Sequence, residues 1–288
     1  MRGRVLLTGA AGRIGALLVT RLQEDGWHVR AFTHRRPVDG ADEWCRGTLL
    51  DPDVCREAVE GCDGVVHAAG VTHARRRDAY WEANVGTTAS LVKAAEQSGA
   101  RRFLLLSSRT ASPSGGWYSA SKLAAEQLVA DSTLGWTIVR LPEIYGGGSD
   151  EGIDRLIASA RSGGWVVVPG RGESELCPMH IDDAVHACVV ALRPGPAVGR
   201  TYVLGGECLS LRGFVDRCIE VAGSDARVVS VPWALLQAAA FVGRLFGPVY
   251  PDQVARLRAP KPRPTAPADL AFERRPLEAG LRAVMRLP

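Results

Sequence analysis

The sequence lacks a charged tail and lacks any uninterrupted apolar run long enough to cross a bilayer. Its 35 basic and 31 acidic residues give a formal net charge of +4, and arginine is spread along all 288 residues. Dispersed charge of this size attracts a polyanion only weakly, so no nucleic-acid partner is expected. The most apolar late segment, WALLQAAAFVGRLFG, is too short for a membrane span and contains Arg244, so no membrane association is expected either.

Cysteine pairs at metal-binding spacing are also absent. The seven cysteines form no CxxC pair, their number is odd, and several lie in apolar helical runs such as AVHACVVAL. This distribution favours buried free thiols in a reducing cytoplasm over a metal site. The opening MRGRVLLTGAAG has glycine and threonine where a signal peptide needs a continuous apolar core, which again predicts a cytoplasmic protein.

The first half of the chain does contain a regular alternation of short apolar runs and helical patterns. RVLLTG, HVRAFT, GVVHAAG, RRFLLLSS and GWTIVRLP are typical of buried strands, with amphipathic segments between them. Asp51 is expected to cap one helix, with Pro52 at its first position. Alternation of this kind requires right-handed crossovers, so the sequence predicts an α/β fold with a Rossmann-type doubly wound parallel sheet.

After about residue 145 the alternation loosens. Glycine and proline become frequent in YGGGSD, VVVPGRGESELCP and LRPGPAVG, and helical patterns dominate. We therefore expect a dinucleotide-binding domain at 1–145 and a smaller, mostly helical C-terminal substrate lobe at 146–288, some of whose segments return to the sheet. Within that lobe Asp182 is expected to cap a helix, and His180 to be a core residue rather than a catalytic one.

TGAAGRIG, at positions 8–15, places Gly9, Gly12 and Gly15 between the first strand and the first helix. Glycine permits a tight turn and a close backbone approach to a pyrophosphate. The helix amino terminus adds free N–H groups and a partial positive charge. A strand before the loop and a helix after it predict dinucleotide binding.

The end of the second strand indicates which dinucleotide is bound. Thr33 stands where a carboxylate would bind a ribose 2′-hydroxyl, and His34, Arg35 and Arg36 follow it. The bidentate fork and permanent charge of arginine suit a 2′-phosphate, and Arg13 in the glycine loop is a further candidate for it. The sequence favours NADP(H); the alternative is that the two arginines are ordinary loop charges.

YSASK gives a Tyr118–Lys122 pair one helical turn apart, after a strand that ends in Ser107 and Ser108. With TGAAGRIG, HAAG, NVGT, VRLPEIYGGG and PMHIDDAVHACVVAL, these motifs resemble the short-chain dehydrogenase/reductase superfamily, extended type, which is the NAD-dependent epimerase/dehydratase group. The resemblance covers nearly the whole chain. It implies Ser108, Tyr118 and Lys122 as the catalytic residues.

The residue types agree with that chemistry. A free tyrosine has a pKa of about 10, which is too high for easy proton exchange at neutral pH. A neighbouring ammonium and an oxidised nicotinamide ring both favour the phenolate. Tyr118 then becomes an acid for a carbonyl oxygen or a base for an alcohol, while Ser108 holds that oxygen. The alternative is a chance pair on an exposed helix face.

The resemblance also implies residues that bind the cofactor, in the glycine loop, at strand ends and on the helix that contains NVGT. They are Gly9, Gly12, Arg13, Ile14, Gly15, His34, Arg35, Arg36, Thr48, Leu49, Ala68, Ala69, Gly70, Asn84, Leu141, Pro142 and Ile144. No metal is implied. A homodimer is implied through the helix of Tyr118, with Leu123, Leu128 and Val129 as candidate contacts.

Departures from the family pattern bear on the substrate. Glu143 stands where nucleotide-sugar enzymes often carry asparagine, and Leu176 and Cys177 replace an Arg–Asp pair. Arginine is a natural diphosphate ligand, so its loss argues against a nucleotide sugar. The expected reaction is hydride transfer between NADP(H) and a carbonyl or secondary alcohol of a small, moderately apolar molecule. The alternatives are an epimerase or dehydratase with transient hydride transfer, and an NADPH-binding protein without turnover.

Overall fold

The structure is a computed structural model that describes residues 2–34, 38–148, 152–238, 251–265, 270 and 274–287. Thirteen strands lie within these residues: β1 Gly3–Thr8, β2 Trp27–Thr33, β3 Glu43–Arg46, β4 Gly64–His67, β5 Arg102–Ser108, β6 Gly135–Leu141, β7 Ile144–Tyr145, β8 Trp165–Pro169, β9 Glu175–Leu176, β10 Met179–His180, β11 Arg200–Val203, β12 Leu209–Ser210 and β13 Arg227–Val231. The helices that build the layers are α1 Arg13–Glu24, α2 Pro52–Val59, α3 Arg77–Tyr80, α4 Thr87–Ser98, α5 Gly116–Ala130, α6 Gly152–Ser162, α7 Ile181–Leu192, α8 Leu211–Ala222, α9 Pro251–Arg258 and α10 Leu277–Met285. A π-helical turn, Trp81–Gly86, joins α3 to α4.

Seven strands form one sheet in the order β11-β6-β5-β4-β1-β2-β3, and every neighbouring pair is parallel. Helices α1 and α7 cover one face of this sheet, and α2, α4 and α5 cover the other. The predicted α/β fold with a doubly wound parallel sheet is therefore confirmed. No helix in the described ranges is long and apolar enough to cross a membrane.

The five apolar runs of the first half all form strands of this sheet. Asp51 caps α2 as predicted, since its carboxylate accepts the N–H groups of Asp53 and Val54 at 2.9 and 3.4 Å. The edge strand β3 was not predicted, because four residues that are alternately half-buried and exposed give little apolar signal. Val129 is fully buried in the sheet-facing core, so it is not available as the dimer contact that the sequence suggested.

The second half adds three small two-stranded sheets, β7 with β10, β8 with β13 and β9 with β12. Helices α6, α8 and α10 pack around a separate apolar core beside them. The cap of α7 is His180, whose Nδ1 accepts the N–H of Asp182 at 3.3 Å, so the expectation that Asp182 caps this helix is wrong. Asp182 already lies inside the first turn, where its side chain cannot take the capping position. His180 itself is buried, as expected.

Two of the seven cysteines are paired. Cys177 and Cys208 form a disulfide, while Cys45, Cys55, Cys62, Cys188 and Cys218 are free. The prediction of free thiols is therefore wrong for this pair. The pair follows directly from the antiparallel register of β9 and β12, which no spacing in the sequence reveals.

We expect reduction of Cys177–Cys208 to destabilise the protein. Closing a loop with a sequence separation of 31 corresponds to about 3–4 kcal/mol in the chain-entropy treatment of disulfides. Thermal melts with and without reductant measure this loss, and Cys208→Ala should make the melt insensitive to reductant. Cys218→Ala, which removes a free buried thiol, should leave the reductant effect in place. Seven reactive thiols in the denatured, unreduced protein would exclude the disulfide.

His67, at the end of β4, is enclosed and neutral. Its Nδ1 lies 2.7 Å from the Thr8 hydroxyl and its Nε2 lies 3.0 Å from the Thr88 hydroxyl. Thr88 donates its own proton to the carbonyl of Asn84, so it accepts from the imidazole, and Thr8 donates to Nδ1. Burial, and then the positive charge of Lys122, lower the pKa of His67 to about 3.

Stability should therefore fall in mild acid. The unfolded chain binds a proton at His67 below about pH 6.5, whereas the folded chain binds it only near pH 3. The stability that neutral His67 contributes is therefore fully present above pH 6.5 and is lost as the pH falls towards 3. Between about pH 7 and about pH 5 the loss from this group is about 2 kcal/mol. Urea unfolding at both pH values should show a smaller acid loss in His67→Gln than in the wild type. Equal losses would contradict the assignment.

Candidate active site

Close backbone contacts build the glycine loop between β1 and α1. Gly9 has a φ of +71°, and a Cβ there would lie 2.7 Å from the main chain of Ala68 and Ala69. A Cβ on Gly15 would lie 2.1 Å from the Gly9 carbonyl oxygen. Gly12 caps α1 without a side chain, and the first turn of the helix has no acidic residue. The loop thus presents an uncovered helix amino terminus at close backbone range, which fits a dinucleotide pyrophosphate.

Arg13 extends from this loop towards the second half of the chain. Its guanidinium donates to the carboxylate of Asp154 in α6 at 2.5 Å and to the carbonyl of Ile144 at 3.4 Å. A Cβ on Gly147 would lie 2.1 Å from the Arg13 side chain, so the segment after β7 packs closely against the arginine. Arg13 therefore ties the glycine loop to α6, and its role towards a 2′-phosphate stays a prediction.

The carboxyl end of β2 carries no acid. Thr33 is buried, and the exposed ring of His34 lies 3.1 Å from a main-chain carbonyl after β3. Arg35 and Arg36 lie outside the described residues. Arg46, the exposed last residue of β3, is the register partner of Thr33. Sequence patterns alone do not place this cation beside Thr33, because β3 carries little apolar signal.

The remaining predicted cofactor residues lie at or near the carboxyl edge of the sheet. Some follow β3 or β4, some lie at the end of β6 or the start of β7, and two lie in α1 and in the π-helical turn. They are Ile14, Thr48, Leu49, Ala68, Ala69, Gly70, Asn84, Leu141, Pro142 and Ile144. Because the carboxyl ends of parallel strands share one edge, the fold brings these segments to the side of the glycine loop.

Asn84 connects this edge to the helix of the predicted catalytic residues. It lies in the π-helical turn, a feature that often marks functional sites. Its Oδ1 accepts the N–H of Val71 at 2.9 Å, and its Nδ2 donates to the Ser121 hydroxyl at 2.9 Å. Ser121 in turn donates to the carbonyl of Tyr118 at 2.8 Å. The loop after β4 and the start of α5 are thereby held in fixed relation.

Ser108, Tyr118 and Lys122 come together behind this edge. Tyr118 and Lys122 are only 9% and 7% exposed, which excludes a pair on an exposed helix face. Ser108 acts on the Tyr118 phenol and lowers its pKa, and the Ser108 hydroxyl lies 2.9 Å from the Thr110 hydroxyl. The Lys122 ammonium donates to the Leu106 carbonyl at 2.8 Å.

The charge that acts on the Tyr118 phenol is not the expected Lys122 ammonium. Burial raises the pKa of Tyr118, while Arg256 in α9 and the hydrogen bond from Ser108 lower it. Burial lowers the pKa of Lys122 to about 8, against the attraction of Glu126. The cation that acts on the phenol in this structure is therefore Arg256, which no local sequence pattern relates to α5.

A buried charge cluster lies beside the site. Arg109, which is completely buried, contacts Glu143 at 3.1 Å and Glu175 at 3.4 Å. Lys261 donates to Glu143 at 3.0 Å, and the N–H of Cys177 donates to it at 3.2 Å. Burial alone would raise the pKa of Glu143, but Lys261 and Arg109 outweigh it and hold that pKa below its ordinary value. Carboxylates therefore pair both cations.

The profile of the NAD-dependent epimerase/dehydratase family matches residues 5–205. The chain is 34% identical over 204 residues to the ceramide reductase of Caulobacter vibrioides (strain NA1000 / CB15N), covering 69% of this chain and 63% of the reductase, so it spans less than two thirds of that relative. It is 29% identical over 259 residues to the 3β-hydroxysteroid dehydrogenase/Δ5→4-isomerase of Mycobacterium tuberculosis (strain ATCC 25618 / H37Rv), covering 77% and 70% of the two chains. A solved structure of MoeE5 in complex with UDP-glucuronic acid and NAD is similar with a TM-score of 0.70 at 26% identity, covering 80% and 86%. Two of these relatives are named as a reductase and a dehydrogenase, and the MoeE5 structure contains NAD.

Proposed function

Because the chain belongs to the NAD-dependent epimerase/dehydratase family, we propose that it is an NADP(H)-dependent oxidoreductase of the short-chain dehydrogenase/reductase superfamily. Its reaction moves a hydride between the nicotinamide and a carbonyl or secondary alcohol of a small, moderately apolar molecule. The group of half-buried Ser108 with buried Tyr118 and Lys122, at the same sheet edge as the glycine loop, carries this proposal. A cytoplasmic homodimer with a cofactor domain at 1–145 and a substrate lobe at 146–288 belongs to the same proposal.

The chain's own residues handle the proton. In the reducing direction the bound cofactor supplies a hydride to the carbonyl carbon. The O–H bond of Tyr118 breaks as its proton passes to the carbonyl oxygen, which becomes the alcohol, and Ser108 holds that oxygen. Lys122, whose ammonium donates to the Leu106 carbonyl, would hold the ribose of a bound cofactor. In the oxidising direction the hydroxyl proton of the alcohol passes to the Tyr118 phenolate.

The charge cluster supports an uncharged substrate. Arg109 and Lys261 are paired with Glu143 and Glu175, so neither is available as a diphosphate ligand without breaking a buried ion pair. Leu176, which replaces an arginine of the family pattern, is buried. Ceramide and a hydroxysteroid, named in two relatives, are apolar molecules with a carbonyl or alcohol.

A second candidate function is an epimerase or dehydratase, and the similar structure that contains UDP-glucuronic acid supports it. An epimerase returns its hydride to the same substrate, so it converts substrate with no net change in NADPH absorbance. A binding protein without turnover would retain NADPH through purification and convert nothing. A panel of apolar ketones and nucleotide sugars, assayed for both product and NADPH, separates the three functions.

Tyr118→Phe should lower turnover by about two to four orders of magnitude, since it removes the proton donor. NADPH affinity should stay near that of the wild type, because the ring and the helix remain. Steady-state kinetics and NADPH fluorescence titration measure the two effects. Tyr202→Phe, a buried tyrosine in β11, is the matched control and should keep its turnover. Near-native turnover in Tyr118→Phe would refute the mechanism.

NADPH should bind at least about tenfold more tightly than NADH, since one charge-assisted hydrogen bond contributes about 1.5–3 kcal/mol. The double variant Arg35→Ala/Arg36→Ala should narrow this gap, and Arg46→Ala should narrow it further. Arg56→Ala, on the exposed face of α2, should not change it. Calorimetric titration of both cofactors gives the dissociation constants; equal values in the wild type would exclude the preference.

A further inference from the structure

The start of α5 lacks a cap of its own. Gly115 precedes the helix without a side-chain hydrogen bond, and Gly116 has a φ of +89°. The free N–H of Tyr118 is instead accepted at 3.1 Å by Asp252, which comes from α9. A Cβ on Gly116 would lie 2.5 Å from the same carboxylate, so the close approach of α9 depends on glycine there. Asp252 thus caps the helix of Tyr118 from 134 residues away.

Arg256 follows one turn later on α9 and covers the phenol. Its guanidinium carbon lies 4.6 Å from the centroid of the Tyr118 ring, within the range of a cation–π contact. Its Nε lies 3.5 Å from Asp252, and the two side chains are only 15% and 3% exposed. The arginine is therefore held against the ring by a shielded partner on its own helix.

The other groups around the ring do not duplicate this cation. Tyr80 meets the ring edge-on at 6.1 Å between centroids, and Ser108 lowers the pKa of the Tyr118 hydroxyl without adding a charge. Lys122, on the same helix, directs its ammonium to the Leu106 carbonyl. Asp252 adds a negative charge that raises the pKa of Tyr118, but Arg256 lowers that pKa more strongly. Among the described residues, Arg256 is the cation that faces the phenol.

We propose that Arg256 is a positioning residue for Tyr118: held by Asp252, it keeps a cation on the face of the phenol and so stabilises the phenolate. Ionisation places more negative charge on the ring, so a cation above the ring stabilises the phenolate more than the phenol. The inference rests on the proposed function, in which Tyr118 transfers the proton. It assigns to α9 a part of the phenolate stabilisation that the sequence pattern gives to Lys122 and the nicotinamide ring.

The test measures the ionisation of Tyr118 without turnover. The five tyrosines are replaced biosynthetically by 3-fluorotyrosine, whose phenol is more acidic and so titrates where the fold persists. Fluorine NMR follows each resonance with pH, and Tyr118→Phe assigns the resonance of Tyr118. Circular dichroism at each pH confirms that the protein remains folded.

Four variants then test the role of this cation. Arg256→Met should raise the Tyr118 midpoint by about one pH unit, the shift expected for loss of a shielded cation–π contact. Arg256→Lys keeps a cation there, so its midpoint should lie close to that of the wild type. Arg256→Gln, a second variant without the charge, should raise the midpoint as Arg256→Met does. Arg258→Met, two residues further along α9, should leave the midpoint unchanged and controls for damage to the helix.

Kinetics add a second readout. The acidic limb of the pH profile of kcat for alcohol oxidation should move upward in Arg256→Met by the same amount as the NMR midpoint. Equal Tyr118 midpoints in the wild type and Arg256→Met would overturn the inference. If Arg256→Met does not fold, an unchanged midpoint in Arg256→Gln overturns the inference instead. If the Tyr118 midpoint rises in Arg256→Met as expected but the wild type converts no substrate, the proposed function is refuted and the assignment of Arg256 stands.

Discussion

The rest of the structure depends on how closely α1 approaches the carboxyl ends of β1 and β4. Gly15 has room only for a hydrogen against the Gly9 carbonyl, and Gly9 has room only for a hydrogen against the chain after β4. Larger side chains at either position would push the helix off the sheet. Because α1 packs beside α7 and its Arg13 pairs with Asp154, the same contact also places the second half of the chain over the sheet edge.

Signals that are local in the chain predicted most of the fold and the central site residues. The strands followed from short apolar runs, the cap of α2 from Asp51 and Pro52, and the spacing of Tyr118 and Lys122 from one helical turn. Each depends on residues within a few positions of one another, where backbone geometry is set by the residue types themselves. The glycine loop is equally local, since its close contacts require glycine whatever lies opposite.

What the sequence did not predict is contact between distant segments. The Cys177–Cys208 pair depends on the register of two-residue strands, and Arg109 and Lys261 come together at Glu143 from distant parts of the chain. The cap of α7 shows a different limit, because His180 and Asp182 are both acceptors near one helix start. The residue types alone do not determine which of the two caps α7, whereas the backbone angles at the first turn do.

The two cations near Tyr118 respond differently to burial. Enclosure lowers the pKa of Lys122 to about 8, so its ammonium loses its proton in mildly alkaline solution. A guanidinium starts from a far higher pKa and keeps its charge when enclosed. Arg256 therefore stays positive on the face of the phenol at pH values where Lys122 is neutral. With Arg256 in place, the phenolate keeps a cationic neighbour over the range in which alcohol oxidation needs the basic form of Tyr118.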